Sequence, residues 1–119
     1  MSLVVPIDDY SPIYQNDTSN PFIIQVLHKN GYESILGATI TMKMQNVDSP
    51  ATINTCSGIW TIDAGDNGKA SYEYQAADVD DPGNWYMWVK VVIGGKTVHP
   101  DDGAGLPKIL VIKPLPTGV

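Results

Sequence analysis

Arginine is missing altogether. All seven basic residues are lysines, set against 13 carboxylates, for a formal charge of −6 over 119 residues. Reading of phosphates and base edges leans on the bidentate guanidinium fork, so this composition argues against a nucleic-acid partner. Cysteine is almost as scarce. Cys56 stands alone between Thr55 and Ser57, so no disulfide can form within the chain, and no neighbouring lysine or histidine activates the thiol. It reads as a small residue at a strand edge rather than a nucleophile. There is no signal peptide and no apolar run approaching the ~20 residues that span a bilayer. The expectation is a soluble protein made in a cytoplasm, with no membrane partner.

Histidine and glutamate number two each. His28 and His99 stand apart from any His, Cys or Glu at ligand spacing, which argues against zinc. With only Glu33 and Glu73, a carboxylate pair for glycoside hydrolysis would have to draw on loop aspartates such as Asp101 and Asp102. No serine sits in a nucleophile elbow, and no glycine-rich loop leads into a helix. Asp63-Ala64-Gly65-Asp66-Asn67-Gly68 has a passing likeness to a calcium loop. However, its third position is Gly65 and its twelfth is Tyr74, where a bidentate glutamate is needed. Asp, Asn and Gly in that density read as a turn. Asp78, Asp80 and Asp81 would meet Asp101 and Asp102 only if their loops share one end of the fold, and solvated loop aspartates are the simpler reading. The expectation is no catalytic residue, no metal and no cofactor.

What is present is strand grammar punctuated by 11 glycines and nine prolines. Phe22, Ile24 and Val26 alternate with Ile23, Gln25 and Leu27. Ile40, Met42 and Met44 alternate with Thr39, Thr41, Lys43 and Gln45, the period of two that marks a half-buried strand. Trp60 and Ile62 give the inner face of another strand, and the Gly/Asn/Asp turn leads to Ala70, Tyr72 and Tyr74. A helical turn is expected over 75–80. A strand over 85–93 reaches a hairpin tip at Gly94-Gly95 and returns through Lys96-Thr97-Val98, and 106–113 makes the last strand. Pro6 and Pro12 confine residues 1–14 to an extended segment or edge strand. These elements predict an all-β fold, an immunoglobulin-like Greek-key β-sandwich of about seven strands over 15–114, with 115–119 as a tail.

The densest local signal is Asp78-Val79-Asp80-Asp81-Pro82-Gly83-Asn84-Trp85, ahead of Met87, Val89 and Val91. Asp81 and Asn84 can bond backbone groups, Pro82 fixes φ, Gly83 frees it, and Trp85 turns into the core. Asp78, Asp81, Pro82, Gly83 and Trp85 are therefore expected to build a corner and perform no chemistry. If Trp85, Met87, Val89 and Val91 point inward, Tyr86, Trp88 and Lys90 point outward. An exposed Tyr-Trp pair is a natural interface anchor unless a loop covers it. Tyr10 and Tyr14, in the proline-containing N-terminal segment, are further contact candidates because such segments dock by strand addition. The same Tyr86 and Trp88 would serve a carbohydrate- or cell-surface-binding module by stacking on sugars.

Five motifs in order resemble one family. They are Asn16-Asp17-Thr18 before Pro21-Phe22; Leu36 to Met44; Asn67-Gly68-Lys69-Ala70-Ser71-Tyr72; the corner Asp78 to Trp85; and Gly95-Lys96-Thr97-Val98-His99-Pro100. Together they resemble the N-terminal Ig-like domain of phage baseplate upper proteins (the BppU-like domain) and related small phage tail proteins, over nearly the whole chain. The chain departs from the pattern at Trp85, usually tyrosine, and at Asn16, often glycine. No coiled-coil or receptor-side extension is expected within these 119 residues. The resemblance implies a non-enzymatic virion component of a tail or baseplate, synthesised in the bacterial host cytoplasm. Such a component would form homo-oligomers and pack against other tail proteins, and no catalytic or metal residue comes with it.

Overall fold

The computed structural model describes residues 3–8, 11–28, 31–65, 67–98 and 108–115. Tyr10, His99 and the Asp101–Asp102 loop lie outside the described residues. Eleven strands and one 3₁₀ turn occur among those described. They are β1 (Leu3–Asp8), β2 (Ile13–Tyr14), β3 (Phe22–His28), β4 (Gly31–Tyr32), β5 (Thr39–Asn46), β6 (Ile53–Cys56), β7 (Trp60–Ile62), β8 (Lys69–Tyr72), the turn Ala76–Asp78, β9 (Gly83–Ile93), β10 (Lys96–Val98) and β11 (Lys108–Lys113). Seven of the strands have four residues or more. The remaining four are short edge or hairpin pieces. Strands β7 and β10 fall at Trp60–Ile62 and Lys96–Val98, where the sequence predicts them, while β2 and β4, of two residues each, are too short for periodicity to resolve.

The chain folds as an all-β sandwich. One sheet runs β1-β3-β8-β7 with β4 beside β3; the other runs β2-β11-β9-β5-β6 with β10 beside β9. Lettered A to G along the chain, with β6 as C′, the orders are A-B-E-D and G-F-C-C′, the pairings of an immunoglobulin-like sandwich. All pairs are antiparallel except β2, which runs parallel to β11. Strand β1 carries a register shift between Pro6 and Asp8 against β3. That irregularity and the proline suit an outer strand, where a missing N–H costs no ladder bond.

Alternation does most of the positioning. Trp85, Met87, Val89 and Val91 of β9 meet Met42 and Met44 of β5, Leu110 and Ile112 of β11, and Phe22, Ile24, Val26, Ala70 and Tyr72 of the facing sheet in one buried core. Each such side chain contributes about 1.5–3 kcal/mol by leaving water. Val4 and Ile13 join the same core, so the first segment packs as edge strands of both sheets. A one-residue slip of β9 would turn its whole apolar set to solvent, so burial fixes the register and with it the outward set.

The turn between β7 and β8 consumes its own carboxylate. Asp63 accepts hydrogen bonds from the Gly65 N–H (2.8 Å) and from Asn67 Nδ2 (3.1 Å). These donors, the Gly65 amide first and Asn67 second, hold its carboxyl below the usual range.

Candidate functional site

The corner before β9 is bolted from both sides. Trp85 is buried, and its indole Nε1 donates to the Asp81 carbonyl at 3.0 Å, tying the start of the strand to the turn four residues earlier. The Asn84 carbonyl accepts from Val47 N–H (2.9 Å), and the Val79 carbonyl accepts from Asn16 N–H (2.8 Å). The corner thus works through main-chain carbonyls at Asp81 and Asn84. Pro82 and Gly83 are half-buried between these anchors.

Asp78 has a different role from its neighbours. Only 5% exposed, it accepts from the Tyr72 hydroxyl (2.6 Å) and from the Gln75 N–H (2.8 Å), while the Tyr72 oxygen accepts from the Gly58 N–H (2.9 Å). A Gln75-x-x-Asp78 spacing is the sequence trace of this contact, since an acidic residue at the third position of a helical turn reaches back to the cap N–H. The Tyr72 partner lies six residues earlier, at the end of β8, a spacing that matches no capping motif. Cys56 sits against this pair. Burial, then the Asp78 charge, push its thiol far above the ordinary value, so the thiolate is suppressed. Iodoacetamide is expected to leave Cys56 unmodified in the native protein and to modify it rapidly once the chain is unfolded, read by intact mass. Fast labelling of the native state would contradict this packing.

The outward residues of β9 converge with those of its neighbours on one face of the six-stranded sheet. The register sets Ile53, Gln45, Tyr86 and Ile109 in a single row across four strands, with Thr55, Lys43 and Trp88 in the next row. Trp88 is 40% exposed, Ile53 55% and Ile109 41%, while Tyr86 is half-buried. Lys90 is exposed and stands opposite Thr41. Tyr14, 51% exposed, pairs with Lys113 at the far corner of the same sheet. Four contact candidates, Tyr86, Trp88, Lys90 and Tyr14, therefore share this sheet. Ile53 and Ile109 join them, and only the strand register reveals it.

This face is shaped but shallow. The Trp88 indole donates from Nε1 to Gln45 Oε1 at 3.0 Å, which holds the ring across β5. The Tyr86 and Trp88 rings lie 6.3 Å apart between centroids, with planes inclined at 56°. Beside them is an open cleft of ≈220 Å³ lined by Thr41, Met42, Lys43, Trp88, Val89 and Lys90. Apolar side chains flanked by lysines, on a rigid sheet, can dock another surface. Among the described residues, no group of three or more His, Cys, Asp or Glu converges as a metal site would.

Fold and face together define the class: an immunoglobulin-like β-sandwich with one exposed aromatic and basic sheet face. No protein-family model matches the chain, and no curated protein matches it either.

Proposed function

We propose that the chain is a non-enzymatic structural subunit of a phage or prophage tail or baseplate, acting by self-association and by docking to other virion proteins through the outer face of the six-stranded sheet. The observation that carries the docking role is the cross-strand patch of Ile53, Tyr86, Trp88 and Ile109. Apolar side chains clustered at the surface across neighbouring strands mark contact surfaces on folded domains. The virion setting rests on the ordered motifs from Asn16 to Pro100 that resemble the baseplate upper domain. Repeated modest contacts of this kind add up in a multivalent particle. A sugar-binding platform is less well served here, because the 56° inclination of the two rings gives no flat two-ring surface for neighbouring sugars.

Trp88 supplies the test. Its ring lies outside the core, so Trp88→Ser should move the thermal midpoint by only a few degrees. It should nevertheless weaken self-association in sedimentation velocity about tenfold or more, as loss of an aromatic anchor does. A large fall in the monomer's thermal midpoint, or unchanged association, would count against this face as the contact surface.

A further inference from the structure

Charge is strongly segregated between the sheet face and one end of the sandwich. Five of the seven lysines lie on strands of the six-stranded sheet, and three of them, Lys43 on β5, Lys90 on β9 and Lys113 on β11, take the outward parity; Lys96 and Lys108 share the parity of buried Val98 and Leu110. Among the described residues, no carboxylate lies on any strand of that sheet. Lys43 and Lys90 flank Trp88 on the outward face, both exposed, and neither meets a carboxylate among the described residues. In a chain of net charge −6 this face is locally cationic.

The opposite charge collects at the end of the sandwich where β9 begins. Gln15 Nε2 donates to the Asp80 carbonyl (2.7 Å) and Asn16 N–H to Val79 O, which brings the loop carrying Asp17 to the corner. The Val47 N–H on Asn84 O brings in the turn carrying Asp48. Glu73 follows β8 directly, just before Gln75 binds Asp78. Asp48, Glu73, Asp80 and Asp81 are exposed and Asp17 is half-buried. Tyr14 and Leu115, both exposed, lie where β2 and β11 end beside this group, supplying apolar area among the carboxylates together with one lysine, Lys113, so the cationic patch itself rests on Lys43 and Lys90.

We infer that copies of this chain associate head to tail, with the lysine- and tryptophan-bearing face of one copy seated on the acidic end of the next. This deepens, and rests on, the self-association proposed above. A face-to-face pair related by a two-fold axis would set two cationic faces together, and no carboxylate on these strands would answer a lysine in any register. An end-to-end pair would oppose two acidic clusters. Only the heterologous pairing gives each charge a counter-charge, and such contacts close into rings or extend as filaments.

Two charge-reversed forms of the full chain test this by sedimentation velocity: Lys43→Glu with Lys90→Glu on the face, and Asp48→Lys with Asp80→Lys at the end. All four positions are exposed, so thermal midpoints should stay close to that of the unmodified protein. Each form alone should associate about tenfold or more weakly, and an equimolar mixture should recover association. The unmodified chain should dissociate progressively between about 0.05 and 0.5 M salt as screening shortens. A parent chain that stays monomeric at all concentrations would defeat self-association itself. If the parent associates and Trp88→Ser abolishes it, but end reversal has no effect, only the head-to-tail arrangement is overturned. Salt-independent association would overturn it as well.

Discussion

Replacing Gly68 with alanine is expected to cost about 4 kcal/mol of folding stability. Gly68 sits in the turn entering β8 with φ +74°, and a Cβ there would stand 2.8 Å from both the Glu33 and Val26 carbonyl oxygens. Both are backbone atoms. The Val26 carbonyl already accepts from the Glu33 N–H (2.9 Å), and the Gly68 carbonyl accepts from the Val26 N–H (2.9 Å), so neither can retreat without breaking the junction of β3, β4 and β8. Left-handed strain costs about 1–3 kcal/mol and forced overpacking a similar amount. Gly37 is the internal control: its φ is +80°, but nothing lies within 4 Å of its would-be Cβ. Gly37→Ala should therefore cost only the strain, about 1 kcal/mol. Urea unfolding of both variants separates backbone strain from collision, and equal losses would show that the close approach at Gly68 contributes nothing.

Asp78→Ala should destabilise the domain by about 3 kcal/mol, lowering the thermal midpoint by about 10 °C. The substitution strips the acceptor from two donors, the Tyr72 hydroxyl and the Gln75 N–H, one of them fully buried. Water cannot replace the carboxylate at Tyr72, which is packed against Trp60 (5.2 Å between ring centroids) and Tyr74 (6.1 Å). Tyr72→Phe should cost about 2 kcal/mol, because it leaves the Gly58 N–H without its acceptor and Asp78 with one donor fewer. Since the two substitutions break the same contact, the double variant should lose clearly less than their sum. Additive losses, or a loss under 1 kcal/mol for Asp78→Ala, would show that the pair is not coupled.

The corner illustrates how far sequence alone reaches. Period-two alternation identifies β5 and β9, because each buries one face and leaves the other more open over eight or more residues, while β3 reads as a strand apolar on both faces and is half-buried on its outer one. Turn chemistry identified the Gly94-Gly95 hairpin and the bend before Trp85. Strand β6 carried no such signal, since Ile53-Asn54-Thr55-Cys56 is short and takes its register from β5. Asp78 read as one of three similar aspartates. Its burial depends on Tyr72, which β8 delivers from outside the corner motif. Tyr86 and Trp88 were legible as the outward parity of β9, but Ile53 and Ile109 reach the same row only through two further pairings. The segregation of charge was hidden for the same reason. A count of −6 states nothing about which strands lie side by side, whereas the sheet register sets Lys43 of β5 and Lys90 of β9 on either side of Trp88.

The rigid core explains why such a face could serve assembly. Residues that pack inward fix the register, the register fixes the outward row, and the row needs no rearrangement to meet a partner. Binding then carries little ordering cost, the condition under which a modest patch gives useful affinity.

The measurement closest to the central claim is quantitative mass spectrometry of purified particles released by induction of the source strain. The proposed role predicts peptides of this chain in intact particles at a fixed ratio to a tail protein. A chain abundant in the lysate yet absent from washed particles would contradict its role as a structural subunit of the virion.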